Sequence, residues 1–216
     1  MNRNYQKELE KLLEEKKKEN SVPKLFLHSC CAPCSSYVLE YLSQYFEITV
    51  FYYNPNIFPK QEYQKRVAEQ KRLIEEMETI HPVKFQAGRY EPQEFFSAVK
   101  GLEKIPEGGE RCFACYELRM REAAKLAKKG GYDYFTTTLS ISPLKNAKKI
   151  NEIGEKLERE YGICHLPSDF KKKNGYQRSI VLSGIFGLYR QDYCGCVYSQ
   201  EERRRSKENV VTEAKV

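Results

Sequence analysis

No run of apolar residues in this sequence approaches the ~20 that a membrane-spanning helix needs. The first residues, MNRNYQKELEKLLEEKKKEN, have the pattern of a charged helix and lack the apolar segment of a secretion signal. We therefore expect a cytoplasmic protein without a membrane partner. Because thiols stay reduced in that compartment, static disulfides are not expected.

Nucleotide-binding motifs are also missing. The sequence contains neither the P-loop pattern nor the glycine-rich fingerprint of dinucleotide-binding proteins, and it has no evident internal repeat. We therefore expect no nucleotide cofactor. With 216 residues, 40% of them hydrophobic, the chain is long enough for one domain with a substantial core.

Cysteine, by contrast, is abundant, and its placement is the most informative feature of the chain. All but one of the eight cysteines lie in three tight clusters, Cys30-Cys31-x-x-Cys34, Cys112-x-x-Cys115 and Cys194-x-Cys196. Adjacent thiols cannot readily form a disulfide with each other. In a reducing compartment this pattern predicts that the clusters hold a metal or cycle electrons.

Short apolar strands alternate with longer amphipathic helices along the chain. We predict strands over residues 24–28, 48–53, 83–87 and 134–139, and helices over residues 33–45, 60–77, 93–100, 113–129, 147–161 and 175–189. This alternation is typical of an α/β fold with a Rossmann-like parallel sheet and helices on both faces, in which ligands bind beyond the carboxyl ends of the strands. We expect a charged helix over residues 1–20, a single α/β catalytic domain over residues 21–200 and a polar tail over residues 201–216.

The first two clusters together contain enough thiols for one metal centre. Cys30 and Cys31 follow the first predicted strand and precede a helix, whose N-terminus stabilises thiolates or an anionic cluster. Cys112 and Cys115 lie at the start of another helix, where a spacing of three residues turns both side chains to one face. Four cysteines are the number that a 4Fe-4S cluster or a tetrahedral zinc ion requires. We favour iron-sulfur, because adjacent cysteines are less natural zinc ligands; structural zinc and inert buried thiols remain alternatives.

The third cluster, Cys194-Gly195-Cys196, differs in kind. A disulfide across one intervening residue closes a small strained ring, and strain raises the reduction potential, so such a bond suits electron transfer. The alternative is a further pair of metal ligands. Cys34 is then left over, one helical turn beyond Cys31, and it could join Cys194, Cys196 or a carboxylate in holding a second iron. Our candidates are Asp169, with Asp192 behind it, although Asp169 could instead cap a helix or pair with the lysines that follow.

Basic residues raise the possibility of a nucleic-acid partner. The net charge is +7, and the run Lys171, Lys172, Lys173 together with Arg178 is predicted to contact RNA phosphates. The alternative is ordinary solvated surface charge. Tyrosines near the motifs are candidates for stacking on a splayed base, against a plain role in the core: Tyr52, Tyr53, Tyr176 and Tyr193. His28 ends a buried strand and is expected to be a core histidine.

Six segments together resemble the QueH-type epoxyqueuosine reductases: HSCCAPC, NPNIFPKQEY, RCFACY, TTTLSISP, DFKKKNGYQRS and YRQDYCGC, spanning residues 28–196. The resemblance implies a HUP-type α/β fold and a tRNA substrate whose wobble nucleoside, epoxyqueuosine, is reduced by two electrons to queuosine without cobalamin. It also implies that Cys30, Cys31, Cys112 and Cys115 ligate a 4Fe-4S cluster and that Cys194 and Cys196 form the redox-active disulfide. The electron donor is not identified by the sequence.

Two other classes of function stay open on the residues themselves. One is a tRNA sulfur-transfer enzyme in which the cysteines relay sulfur, although no nucleotide-binding loop is visible to activate the base. The other is a zinc-stabilised RNA-binding module without catalysis.

Overall fold

Five parallel strands form the central sheet of the computed structural model, which describes residues 3–213. The strands are β1 (Lys24–His28), β2 (Glu47–Tyr52), β3 (Val83–Ala87), β4 (Tyr134–Thr137) and β5 (Cys164–His165), in the spatial order β3-β2-β1-β4-β5. Each neighbouring pair is parallel. The predicted α/β class with a parallel sheet is confirmed.

Eight helices surround the sheet in the described part of the chain. They are α1 (Tyr5–Lys18), α2 (Ala32–Leu42), α3 (Lys60–Glu76), α4 (Pro92–Ala98), α5 (Glu110–Lys129), α6 (Ala147–Tyr161), α7 (Gly175–Ile185) and α8 (Val197–Glu213). A short 3₁₀ turn, Thr138–Ile141, follows β4. Among these residues, no helix is both long and apolar enough to span a bilayer.

The alternation of side chains along β1 explains why helices cover both faces of the sheet. Successive residues of a strand point to opposite faces. Leu25 and Leu27 belong to a buried cluster with Leu9 of α1 and Leu39 of α2. Phe26 belongs to a second cluster, with α5 and α6. Because burying one such side chain stabilises the fold by about 1.5–3 kcal/mol, each face needs its own helical layer.

Several predicted elements are shorter in the structure, and for β4 and α7 the backbone shows why. β4 ends at Thr137 rather than residue 139, because the Thr137 hydroxyl accepts a hydrogen bond from the Leu139 N–H and starts the 3₁₀ turn. α7 ends at Ile185 rather than at residue 189. Gly187, two residues after its end, has a positive φ of 54° that does not continue the helix. β5 was not predicted, since two residues are too few for a periodic pattern.

The segment predicted as a polar tail is helical where the structure describes it; residues 214–216 lie outside the described residues. Ion pairs explain the helix. Glu201 accepts from Arg205 four residues later, at 3.1 Å. Glu202 pairs at 2.6 Å with Arg111, a buried side chain of α5, and this contact fastens α8 to the sheet domain. The polar composition was read correctly, but the partner on α5 was not visible in the sequence.

His165 makes stability depend on pH. Burial lowers the pKa of its ring from 6.5 to about 3, and the ring packs 5.3 Å from Phe135 and against Gly154. The unfolded chain therefore takes up a proton that the folded state refuses, and stability falls as pH decreases from 6.5 towards 3. We predict that His165→Leu reduces the slope of unfolding free energy against pH by about 1.4 kcal/mol per unit between pH 6 and 4. Urea denaturation of both proteins measures this, and equal slopes would contradict it.

Candidate metal centre

The order of the strands creates a crevice at one edge of the sheet. The strand order reverses between β1 and β4. The segments that follow two such strands run in opposite directions, and ligands bind in the crevice that this leaves beyond the carboxyl ends of the strands. Cys30 comes two residues after β1, and Thr138 directly after β4. The Cys30 N–H donates a hydrogen bond to the Thr138 hydroxyl oxygen at 3.2 Å. The first cysteine cluster therefore lies at the switch point, as the sequence predicted.

Three thiols converge there. The sulfurs of Cys30, Cys31 and Cys34 all lie within 4.8 Å of one another, and those of Cys30 and Cys31 are 3.9 Å apart. Two thiolates on one tetrahedral ion with bonds of about 2.3 Å would be separated by about 3.8 Å. This cluster could therefore hold a metal ion. Cys34, which the sequence left out of the main ligand set, lies three residues after Cys31 in the first turn of α2 and faces the same side.

The pKa values of these three thiols are shifted in different directions. Hydrogen bonds from Cys31 and Cys34 hold the pKa of Cys30 well below that of an ordinary thiol. The Thr138 hydroxyl adds a further hydrogen bond to the Cys30 sulfur at 3.3 Å. The same contacts, together with burial, raise the pKa of Cys31 and of Cys34. The hydrogen bonds among the three sulfurs therefore favour deprotonation at Cys30, and metal binding would displace the protons of the other two thiols.

The other two clusters meet each other in a small cavity. Cys112 and Cys115, in the first turns of α5, line it together with Cys194 and Cys196 from the segment before α8. Burial raises the pKa of Cys115 to about 11 and also raises that of Cys112. All four are free thiols in the structure.

The backbone around Gly195 is tightly held. Arg66 donates from Nη1 to the Cys194 carbonyl at 3.1 Å, and the Phe58 N–H donates to the Gly195 carbonyl at 2.9 Å. The Cys194 N–H donates to the Ser199 hydroxyl at 2.9 Å. Gly195 has a φ of 113°, and a Cβ there would lie 2.9 Å from Arg66. This position therefore requires glycine, and the two flanking thiols have a fixed place.

A cleft of about 420 Å³ opens beside the first cluster. Its lining includes Cys30, Cys31, Cys34 and Cys194. Its other polar and aromatic lining includes Glu107, Lys145, Tyr176, Arg190, Asp192, Tyr193 and Arg203. Although burial lowers the pKa of the Lys145 ammonium, the sulfurs of Cys194, Cys30 and Cys34 raise it overall, so this side chain stays charged beside the thiols.

The carboxylates predicted for a second iron are engaged elsewhere. Asp169 accepts from Lys171 at 2.6 Å, the alternative that the sequence allowed, and it is not among the residues that line the cleft. Asp192 does line the cleft with Cys34, but it pairs with Lys207 at 2.7 Å and Arg203 at 3.3 Å.

The predicted RNA-contacting cations lie outside the cleft lining. Arg178 pairs with Glu40 at 2.5 Å, Lys173 lies 3.6 Å from Glu10, and Lys172 is exposed. The cations that line the cleft itself, Lys145, Arg190 and Arg203, were not singled out from the sequence.

Other sequence candidates divide between core and cleft. Tyr176 and Tyr193 line the cleft, whereas Tyr52 and Tyr53 are fully buried. His28 is a satisfied core histidine, because its ring contacts the Thr137 hydroxyl at 2.8 Å and the Tyr53 carbonyl at 3.1 Å.

One buried cation of the site could have been found from spacing. Arg119 follows Cys115 by four residues and Cys112 by seven, so all three occupy one face of α5. Its side chain lines the cysteine cavity.

Comparison with known proteins identifies the family of this chain. The family model described as epoxyqueuosine reductase QueH matches residues 25–202, which include all three cysteine clusters. This chain belongs to the QueH family. A relative named epoxyqueuosine reductase QueH from Staphylococcus epidermidis is 45% identical over 200 residues, covering 91% of this chain and 84% of that protein. Relatives of the same name from Staphylococcus aureus and Streptococcus pyogenes are 44% and 43% identical, covering 98% and 91% of this chain and 90% and 78% of theirs. The resemblance stated from the motifs is confirmed.

We predict that the amount of metal bound per chain depends on the thiols at the switch point and not on cysteines elsewhere in the chain. Cys30→Ser or Cys31→Ser should lose most of the metal bound by anaerobically loaded protein, because each removes a thiolate from a convergent set. Metal per chain, measured by elemental analysis after desalting, tests this. Cys164→Ser is the matched control, since Cys164 is exposed at the amino end of β5, the opposite edge of the sheet. Equal metal loss in the control would contradict the assignment.

Proposed function

We propose that this protein reduces epoxyqueuosine to queuosine at the wobble position of tRNA, the last step of queuosine biosynthesis, in the cytoplasm. The observation that carries the proposal is the placement of the three cysteine clusters along a cleft and an adjoining small cavity that share Cys194, in a chain that matches the QueH family over residues 25–202. The tRNA and an electron donor are the proposed partners.

The proposed cofactor is a 4Fe-4S cluster ligated by Cys30, Cys31, Cys112 and Cys115, with no cobalamin and no nucleotide. Its all-sulfur donor set suits iron-sulfur chemistry. Arg119 lines the cavity of Cys112 and Cys115, and its buried guanidinium nitrogen Nη2 has no hydrogen-bond partner, which supports an anionic occupant. The short spacing of Cys30, Cys31 and Cys34 supports a single tetrahedral ion as the alternative, the zinc-stabilised RNA-binding module.

A second iron, if bound, is proposed at Cys34. Asp192 lines the same cleft as Cys34, whereas Asp169 would have to leave Lys171 to act as a ligand. Either carboxylate would add a hard oxygen donor to a thiolate ligand.

The proposed chemistry balances with the Cys194–Cys196 dithiol. Removing the oxygen of an epoxide as water leaves an alkene and consumes two electrons and two protons. Oxidation of the two thiols to a disulfide releases the same number, and the external donor then reduces the disulfide. When bound, the cluster would supply an acidic iron site for the epoxide oxygen.

The cations and rings of the cleft have separate roles in this proposal. The Lys145 ammonium, which lines the cleft with Cys194, stabilises negative charge on the departing oxygen. Tyr176 and Tyr193 line the cleft where a splayed base would enter, and stacking would orient the nucleoside.

We predict that the dithiol transfers electrons rather than holding the metal. Cys196→Ala should keep its metal and its tRNA affinity but fail to convert epoxyqueuosine, because no disulfide can form. Nucleoside analysis of treated tRNA by mass spectrometry measures conversion, and it also separates reduction from sulfur transfer. Thiol alkylation of wild type should find Cys194 and Cys196 blocked after one turnover without reductant. Metal loss in Cys196→Ala would instead make this residue a ligand.

We predict that tRNA binding depends on the carboxyl edge of the sheet. Replacing Lys171, Lys172 and Lys173 by Gln should weaken binding and flatten the plot of log affinity against log salt by about 0.7–0.9 per lost phosphate contact. The run follows β5 on the side of the cleft. The matched control replaces Lys16, Lys17 and Lys18, an equal charge at the other edge, where Lys16 lies near Pro23 and Asp133. Identical slopes in both triple variants would contradict a localised interface.

A further inference from the structure

Among the described residues, three arginine side chains are buried, and only two of them have a carboxylate partner. Arg66 pairs with Glu62 at 2.7 Å, and Arg111 pairs with Glu202 at 2.6 Å. Arg119 is 1% exposed and has no ion pair in the described part of the chain. A buried cation without a counter-ion is strongly unfavourable, so this arrangement needs an explanation.

The hydrogen bonds of Arg119 leave one side of its guanidinium unsatisfied. Nε donates to the carbonyl of Cys115 at 3.2 Å, and Nη1 donates to the Asn54 side-chain oxygen at 3.2 Å. Nη2 is buried and has no acceptor. Both acceptors are neutral, so they orient the guanidinium without neutralising it.

The residue that carries this unsatisfied nitrogen borders the cysteine cavity. Arg119 lines it with Cys112, Cys115, Cys194 and Cys196. Burial lowers the pKa of Arg119, and the sulfurs of Cys115, Cys194 and Cys30 more than offset this, so the guanidinium stays charged. Burial raises the pKa of the Cys115 thiol to about 11, so without metal this sulfur carries no charge to balance the guanidinium. Bound to a metal as a thiolate, it would.

We propose that Arg119 is the counter-cation of a metal–thiolate centre in this cavity, that its Nη2 donates a hydrogen bond to a sulfur of that centre, and that its charge raises the centre's reduction potential. The centre itself rests on the proposed function. Arg119 is a positioning residue here: it acts on the metal centre through charge and does not contact the epoxide. A nearby positive charge favours the reduced, more negative form, and hydrogen bonds to cluster sulfur act in the same direction.

The proposal has opposite consequences for the empty and the loaded protein. Without metal, the guanidinium is an uncompensated buried charge, so replacing it with the apolar Arg119→Met should raise the urea midpoint of reduced, chelator-treated protein. With metal, the same replacement removes the counter-cation, so the urea midpoint should fall below that of loaded wild type. An ordinary structural arginine would lower both midpoints.

The experiment uses the full chain, reconstituted anaerobically with ferrous iron and sulfide. The readouts are iron and sulfide content, the urea midpoint with and without metal, and the reduction potential from a titration followed by visible absorbance. Arg119→Met should shift the reduction potential to more negative values. Arg119→Lys keeps the positive charge, so its reduction potential should stay close to that of the wild type. The matched control is the double variant Arg111→Gln/Glu202→Gln, which removes a guanidinium from the same cavity without changing net charge and should shift the potential less.

The outcomes separate this inference from the proposed function. If wild type takes up iron and sulfide but Arg119→Met leaves the potential unchanged, or lowers both urea midpoints alike, the counter-cation role is wrong and the proposed function stands. If wild type takes up neither iron nor sulfide, the proposed cofactor and this inference are both overturned.

Discussion

The parallel pairing of β1 with β4 is the constraint on which the site depends. Its register places His28 beside Thr137, so the segments that follow both strands leave the sheet side by side. Thr138 then accepts from the Cys30 backbone and donates to the Cys30 sulfur. This contact holds together, at the switch point, two segments that lie 108 residues apart in the sequence. The cleft opens over these fixed thiols.

Balance of charge is the second organising feature. Neutral thiols would need no counter-charge, yet the cations of Lys145 and Arg119 lie near sulfurs of the three clusters, among them Cys30 and Cys194. Arg119 is buried without a carboxylate. A protein accepts that cost where an anion completes the site. The arrangement therefore fits a centre in which several thiolates carry negative charge together.

The sequence predicted the parts of this architecture that depend on local pattern. Periodicity gave the strands, and cysteine spacing gave the clusters, because both are properties of short segments. It did not predict that Cys34 joins Cys30 and Cys31, since this depends on how the first turn of α2 begins at Cys31.

Long-range partners were also beyond the sequence. The Asp169–Lys171 pair is local and was foreseen as an alternative, whereas the Arg111–Glu202 pair that orders α8 joins residues 91 positions apart. The meeting of the Cys112 and Cys194 clusters in one cavity is tertiary in the same sense, and no spacing rule encodes it. Arg119 is intermediate, because its helical spacing from Cys112 and Cys115 was visible but its lack of a counter-ion was not.

Anomalous diffraction at the iron edge, from crystals grown anaerobically after loading, tests the central claim most directly. The account predicts iron density bonded to the sulfurs of Cys30, Cys31, Cys112 and Cys115, with Cys194 and Cys196 left free beside it. A single ion bonded only to Cys30, Cys31 and Cys34, with a signal at the zinc edge and none at the iron edge, would contradict it.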